Sequence, residues 1–442
     1  MILSAPPQDS RFWKRAAGLC LLLACGTAHA ADDVVSAPEV NERDADAIKA
    51  YWTQERMNDA IPRDLPGVPI SEEEIEDGVA GYESPGPIGK PGYVPGWAPG
   101  SGPAPDPLDR ITLSADDENV AAWDMLMYDI MGEIAPLTHG STNFDPDDPM
   151  GYGPFHRHTH FGRYLTYPIS TIGKLFFTID GQNYVCSGSV IGRSTVATAG
   201  HCISDGDGEF ATNVLFCPSY RKGGPQGSGE VHPDRGCWAS TTMTTATKWH
   251  SERNFDYDHA CIVTQNNGDT LNAKIGSVTG WTGRAWNWSV RYHQIASGYP
   301  AGNPFPGYHI ISCNGVEWYD QQRSGSSDNQ RSKYIGCDMT GGSSGGPWWF
   351  GLRHPNWQFN YDDTDGSNIT APFVGSAMIN GVNSHSRCKC PGGGQECCYT
   401  PPDSDGGTYW QEMGSPVFQD DDVPGSSERV FEICLDHGNN DP

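Results

Sequence analysis

Short apolar runs separated by turns dominate the chain from about Tyr164 to Ile379. KLFFTI (174–179), the pair Asp180-Gly181 and QNYVCS (182–187) read as a hairpin, because Asp-Gly suits a tight turn with positive φ. Ser189 to Ile191 and Thr195 to Thr198 continue the strands. No strand–helix alternation interrupts the pattern, so it predicts an all-β barrel or sandwich, not an α/β fold.

Residues 31–163 follow a different pattern. Helical spacing predicts short helices near Glu42 to Asn58 and near Asp116 to Met131, where Val120, Trp123, Met127 and Met131 mark a packing face. Between them, residues 62–107 form a Pro/Gly run that is extended and poorly able to make a core of its own. The whole acidic segment reads as a pro-region. HRHTH (156–160) places His156, His158 and His160 on one face if the segment is a strand. No carboxylate is spaced to complete a metal site there, and an exposed junction is the expectation. Residues 401–442 read as an acidic, Gly-rich tail anchored by Cys434.

The net charge of −27 over 442 residues argues against a nucleic-acid partner, since nothing offsets phosphate repulsion. Arg11, Lys14 and Arg15, an apolar run from Ala16 to Cys25, and Ala28-His29-Ala30 form a secretory signal over residues 1–30. The run is too short for a transmembrane span. Leu22-Leu23-Ala24-Cys25 offers the minor alternative of a lipid-anchored Cys25. Export makes disulfides the default for the twelve cysteines that remain of fourteen once Cys20 and Cys25 leave with the signal. A zinc reading of Cys388, Cys390, Cys397 and Cys398 is weak, because the spacing is not paired CxxC. Asn287 and Asn368 begin sequons, but the signal has a bacterial character and no glycan is expected.

Three stretches carry candidate chemistry. In VATAGHC (196–202), a bond from Cys186 to Cys202 would close a short loop and hold His201 in place. In YDHACIV (257–263), an Asp entering an apolar strand is costly unless its carboxylate has a partner, and an imidazole that needs orienting is such a partner. Asp258 is preferred over Asp256, which would share its face in a longer strand. In TGGSSGGPW (340–348), two serines stand among glycines.

Together and in this order, CSGSVIGRSTVATAGHC (186–202), DHACIV (258–263) and TGGSSGGPW resemble the chymotrypsin-like serine proteases, most of all their secreted bacterial, glutamyl-endopeptidase-like branch. The resemblance implies two packed antiparallel six-stranded β-barrels over a protease domain at 164–400. It makes Ser344 the nucleophile, His201 the general base and Asp258 the residue that orients the imidazole. The N–H groups of Gly342 and Ser344 would form the oxyanion hole, worth roughly 2.7–4 kcal/mol per donor. Ser343 stands where pancreatic-type enzymes carry an Asp, so activation would rest on removing the pro-region, with Arg157 and Arg163 as candidate cut points.

Asp338, six residues before Ser344, stands where trypsins bind basic side chains, although Cys337 leaves the loop register in doubt. Glutamate preference finds no support: within the region 372–386 no His falls in the strand, and His385 follows in a loop. Beyond Cys186–Cys202, the pairs Cys217–Cys237 and Cys313–Cys337 suit the spacing, and Cys261 reads as free. The expected protein is a secreted, monomeric serine endopeptidase acting on proteins or peptides, with no metal or organic cofactor. The alternative is a catalytically inactive, trypsin-like binding protein of the cell envelope.

Overall fold

The computed structural model describes residues 33–39, 42–69, 90–112, 155–159, 164–222, 229–231, 235–266, 273–288, 293–316, 319–321, 331–350, 377–388 and 412–440. The expected signal, the helix expected near 116–131, His160, Arg163, Asn368, and Cys390, Cys397 and Cys398 lie outside these residues. No helix among the described residues is long and apolar enough to cross a membrane.

Six strands close a barrel in the first half. They are β1 (Ile172–Ile179), β2 (Gln182–Val190), β3 (Thr195–Thr198), β4 (Thr212–Pro218), β5 (Trp238–Ala246) and β6 (Ala260–Thr264). Their order is β5-β4-β1-β2-β3-β6, and β6 pairs back onto β5. Every pairing in the ring is antiparallel. Closure pairs each ring strand on both sides over part of its length. The expected hairpin is β1–β2, with Asp180 and Gly181 at φ 51° and 74°, the positive values that a tight turn of this hand requires.

All eight residues of β1 are buried, a pattern that simple alternation does not predict. The reason is a cover on the outer face. Helix Glu42–Tyr51 lies over the barrel, and the Trp52 ring packs 5.4 Å from that of Phe176. A second helix, Gln54–Asp59, starts where the Thr53 side chain accepts the Arg56 N–H.

The second half builds β7 (Gly283–Trp286), β8 (His293–Gly298), β9 (Ile311–Val316), β10 (Ser332–Gly336), β11 (Pro347–Phe350), β12 (Met378–Val382), β13 (Ser386–Cys388) and β14 (Glu412–Pro416). One sheet runs β7-β12-β11-β8-β9, and β10 pairs with β14 in another. The architecture is that of a chymotrypsin-like two-barrel fold, with the first barrel closed in the described pairings.

The described parts of the Pro/Gly run, 62–69 and 90–107, and the segments flanking it are seated on the two sheets. Val34–Ser36 pairs with β5, and Gly92–Val94 with β7. Ile61–Pro62 runs parallel to β2, and Gly67–Pro69 parallel to β13. Phe155–Thr159, which holds His156 and His158 of the HRHTH run, is a strand paired with β9, and His160 lies outside the described residues. A chain unable to build a core can still donate backbone to sheet edges.

The C-terminal segment ends in a helix, Ser427–Asn440, that buries Val430, Phe431, Cys434 and Leu435. Cys261 is not free: it is bonded to Cys434 across 173 residues. This helical stripe turns Cys434 toward β6, a placement that sequence spacing does not convey. Among the described residues, three further bonds join Cys186–Cys202, Cys217–Cys237 and Cys313–Cys337. At the same end, Arg284 and Glu428 form a fully buried ion pair at 3.1 Å. Arg110 reaches Asp420, Asp421 and Glu432 there.

His259, fully buried beside the start of β6, meets the Gly425 carbonyl through Nε2 at 2.9 Å. Burial pushes its imidazole down to about 4. The unfolded chain, with an ordinary value of about 6.5, then binds the extra proton first as pH falls. This contribution to stability is present above about pH 6.5 and is lost on acidification toward pH 4, amounting to about 3 kcal/mol. Urea unfolding at pH 7, 5.5 and 4 is expected to show a flatter pH dependence in His259→Gln than in the parent chain.

Candidate active site

His201 lies in the 3-10 turn Gly200–Cys202 directly after β3, and the Cys186–Cys202 bond ties that turn to β2. Gly200 is required by close packing, since a Cβ there would sit 2.5 Å from the Trp249 ring. That ring also meets the His201 imidazole edge-on, with centroids 6.1 Å apart.

Asp258 is fully buried at the mouth of β6. Its Oδ1 accepts the His201 backbone N–H at 2.7 Å, and its Oδ2 accepts the His201 Nδ1–H at 2.7 Å. The Ser384 hydroxyl donates to Oδ2 as well, at 2.5 Å. Three donors offset the cost of burying the carboxylate. Asp256 points elsewhere and accepts from the Ser332 hydroxyl at 2.7 Å.

Donor counting orders a longer chain of bonds behind this pair. Ser384 has spent its single proton on Asp258, so at 2.7 Å its Oγ accepts from His385 Nδ1–H. His385 Nε2 is then the acceptor for the Tyr334 hydroxyl at 2.9 Å. All members are buried. Ser384 and His385 follow β12 and Tyr334 lies on β10, so the second half of the molecule holds the Asp258 carboxylate that begins in the first. Ser384→Ala is expected to lower kcat roughly ten- to thirtyfold with KM nearly unchanged, because Asp258 loses one charge-assisted bond and keeps two. Steady-state kinetics on a peptide substrate checks this.

The Ser344 loop is fixed from both halves. The Ser187 N–H of β2 donates to Ser344 O at 2.7 Å. Ser187 Oγ donates to Gly342 O at 2.9 Å and accepts the Tyr299 N–H at 2.8 Å. The Asn383 amide donates to Ser343 O at 2.9 Å and to Ser297 O at 2.8 Å. Gly342 has φ 92° and Gly345 φ 79°, and a Cβ on Gly345 would lie 2.0 Å from Thr198 Oγ1. The glycines around the serines are therefore demanded by shape. Ser343 is turned inward and donates to Thr340 O at 2.8 Å.

Ser344 Oγ and His201 Nε2 are both buried, and neither has a hydrogen-bond partner among the described residues. Buried polar atoms left open in this way cost about 1–3 kcal/mol each, and they are characteristic of reactive sites. The N–H of Gly342 is engaged: it donates to the Arg63 carbonyl at 3.0 Å. Arg63 N–H in turn donates to Val185 O of β2 at 3.0 Å, and Ser386 N–H donates to Pro66 O at 3.0 Å. The segment Ile61–Pro69 thus passes along β2, over Gly342 and on to β13.

Asp338 is ion-paired with Arg157 through Oδ2, while its Oδ1 is buried without a partner among the described residues. Burial raises its pKa, and Arg157 opposes the rise. Sequence reasoning missed Ser384, Ser187 and Arg63. For Ser384 a signal existed in the polar NSHS run (383–386) at the end of an apolar strand. For Arg63 there was none.

One group of metal-ligating type occurs among the described residues, Cys186, His201 and Cys202. It does not fit an ion, because both sulfurs are spent in the disulfide and His201 Nδ1 is held by Asp258.

No family model matches the chain. A protein named extracellular metalloprotease from Bacillus subtilis (strain 168) is 26% identical over 201 residues, 45% of this chain and 54% of its own length. The glutamyl endopeptidase of Bacillus licheniformis is 31% identical over 165 residues, 37% of this chain and 44% of its own length. The chain thus spans about half the length of the curated relatives it matches. Among solved structures, the protease Anisep from Arthrobacter nicotinovorans is 27% identical, with 64% of this chain and 100% of that one covered at a TM-score of 0.44.

Proposed function

We propose that this chain, a trypsin-like serine protease related to glutamyl endopeptidases, is a secreted, monomeric endopeptidase made as a pro-enzyme. One observation carries the reading most directly: a buried His201–Asp258 pair, with Nδ1 held at 2.7 Å, leaves His201 Nε2 open, and Ser344 Oγ is likewise buried and open. Nε2 is the atom left to act as base once Nδ1 is fixed.

In the proposed cycle, Ser344 Oγ attacks the carbonyl carbon of the scissile bond and passes its proton to His201 Nε2. The carbonyl π pair moves to oxygen, where the N–H groups of Gly342 and Ser344 stabilise the charge. Collapse expels the amine, which takes the proton from Nε2 and leaves an acyl group on Ser344. Water repeats the sequence, restoring the hydroxyl and releasing the carboxylate. Asp258 holds the tautomer and stabilises the imidazolium at each proton transfer.

The pro-enzyme reading is supported by Arg63, whose carbonyl occupies one of the two oxyanion donors. A site with that donor capped is latent, and activation consists of lifting residues 61–69 away. Fluorophosphonate labelling with mass-spectrometric mapping tests the nucleophile. Label on Ser344, absent from Ser344→Ala, supports the enzyme. A folded chain from which residues 61–69 have been displaced, and which takes up no label, would favour the binding-protein alternative.

A further inference from the structure

Leu65 separates itself from the rest of the cleft-crossing segment. It is only 3% exposed, whereas Ile61, an equally apolar residue four positions earlier, is 44% exposed. Asp64 is exposed, and Arg63 and Pro66 are half-buried. The Leu65 side chain belongs to an apolar cluster with Ile335, Met339, Met413 and Trp348, and the partly buried Phe305 packs against the same cluster.

The position of that cluster matters. Met339 lies five residues before Ser344, in the run Cys337–Thr340 that leads into its loop. Met413 lies on β14, whose Gly414 exchanges backbone bonds with His385. The backbone on either side of Leu65 is pinned at Arg63 O to Gly342 N and at Pro66 O to Ser386 N, each 3.0 Å. A Cβ on Gly341 would lie 2.8 Å from Arg63 O, so the segment passes directly over the run that supplies Met339. Leu65 therefore enters the protein between the oxyanion donor and the 384–386 strand end.

Asp338, which adjoins Met339 in the chain, is turned through Oδ2 to Arg157 of the Phe155–Thr159 strand, and its Oδ1 is buried without a partner among the described residues. The Arg157 guanidinium also stands 5.2 Å from the centre of the Phe305 ring.

Resting on the serine endopeptidase reading, we infer that the Leu65 site is the primary side-chain pocket, and that it selects substrates with a medium-sized, uncharged apolar side chain such as Leu or Met. In the pro-enzyme Leu65 fills it, while Arg63, two positions earlier, caps the oxyanion donor. Edge hydrogen bonds give an extended peptide affinity of any sequence, and the pocket gives it a preference. A charged side chain would have to leave water for a site lined by apolar side chains.

The test uses the full chain carrying Leu65→Gly, which empties the pocket. Peptidyl diphenyl phosphonates that differ only in the residue bearing phosphorus are compared for labelling of Ser344. The leucine and methionine reagents are expected to react at least about tenfold faster than the arginine and glutamate reagents. An arginine or glutamate reagent that is equal or faster overturns the inference.

A second readout does not depend on catalysis. Amide hydrogen exchange over residues 63–68 is expected to stay slow in Leu65→Met and to speed up at least about tenfold in Leu65→Arg and Leu65→Glu. Protection retained in Leu65→Arg would show that the pocket takes a basic side chain, and would overturn the inference. If exchange follows the expected pattern while no reagent labels Ser344, the pocket stands and the enzyme reading falls.

Discussion

Replacing Ser344 by Ala is expected to lower kcat for peptide hydrolysis by about a millionfold, and His201→Ala by about the same factor. The reason is that the two residues act as one device. Without the hydroxyl there is nothing for His201 to deprotonate, and without the imidazole the hydroxyl keeps a proton that makes it a poor nucleophile. The double variant is therefore expected to be no worse than either single one, within an order of magnitude. Asp258→Asn should cost less, about ten-thousandfold, because the imidazole remains but in the wrong tautomer. Single-turnover rates on chains matched by circular dichroism and thermal melting check the series. Losses that multiply in the double variant, or a Ser344→Ala rate within tenfold of the parent, would contradict the shared device.

The parts of this site that could be read from sequence are those whose chemistry is local. His201 follows a small-residue turn and precedes the cysteine that clamps it, within seven residues (196–202). The glycines of 341–346 announce a backbone too crowded for a Cβ, and the structure supplies the crowding atoms, Thr198 Oγ1 and Ser297 O among them. The first barrel was legible because its strands are consecutive and joined by turns such as Asp180-Gly181. What was not legible is long in range. Ser384 meets Asp258 across 126 residues and Cys434 meets Cys261 across 173. Local periodicity carries no information about which distant edge a segment will find. The Pro/Gly composition of 62–107 implies an extended chain without a core of its own, but an extended chain is also what a sheet edge binds. Leu65, a single apolar residue in that run, gave no periodic signal at all.

Lifting that segment is expected to raise the reactivity of Ser344 in the full chain. Arg63→Pro removes the N–H that donates to Val185 O at 3.0 Å while leaving the carbonyl in the chain. Leu65→Gly removes the side chain that anchors the segment in the core. Losing one neutral hydrogen bond costs about 1 kcal/mol, and losing a buried Leu side chain costs a further 1.5–3 kcal/mol, roughly. Together these weaken the hold on the cleft enough to expose the Gly342 N–H for most of the time. One oxyanion donor is worth roughly a hundred- to a thousandfold in rate. The double variant should therefore be labelled by a fluorophosphonate roughly a hundred- to a thousandfold faster than the parent, since the phosphonyl oxygen needs the same donors. Arg63→Ala is the control that separates backbone from side chain. It keeps both peptide groups and loses only the guanidinium that stands 5.0 Å from the Tyr184 ring centre, so its labelling rate should stay within about threefold of the parent, as expected for an exposed cation–π contact. Should Arg63→Ala accelerate labelling as much as the double variant, the block would reside in the arginine side chain, and the carbonyl on Gly342 would be incidental to latency.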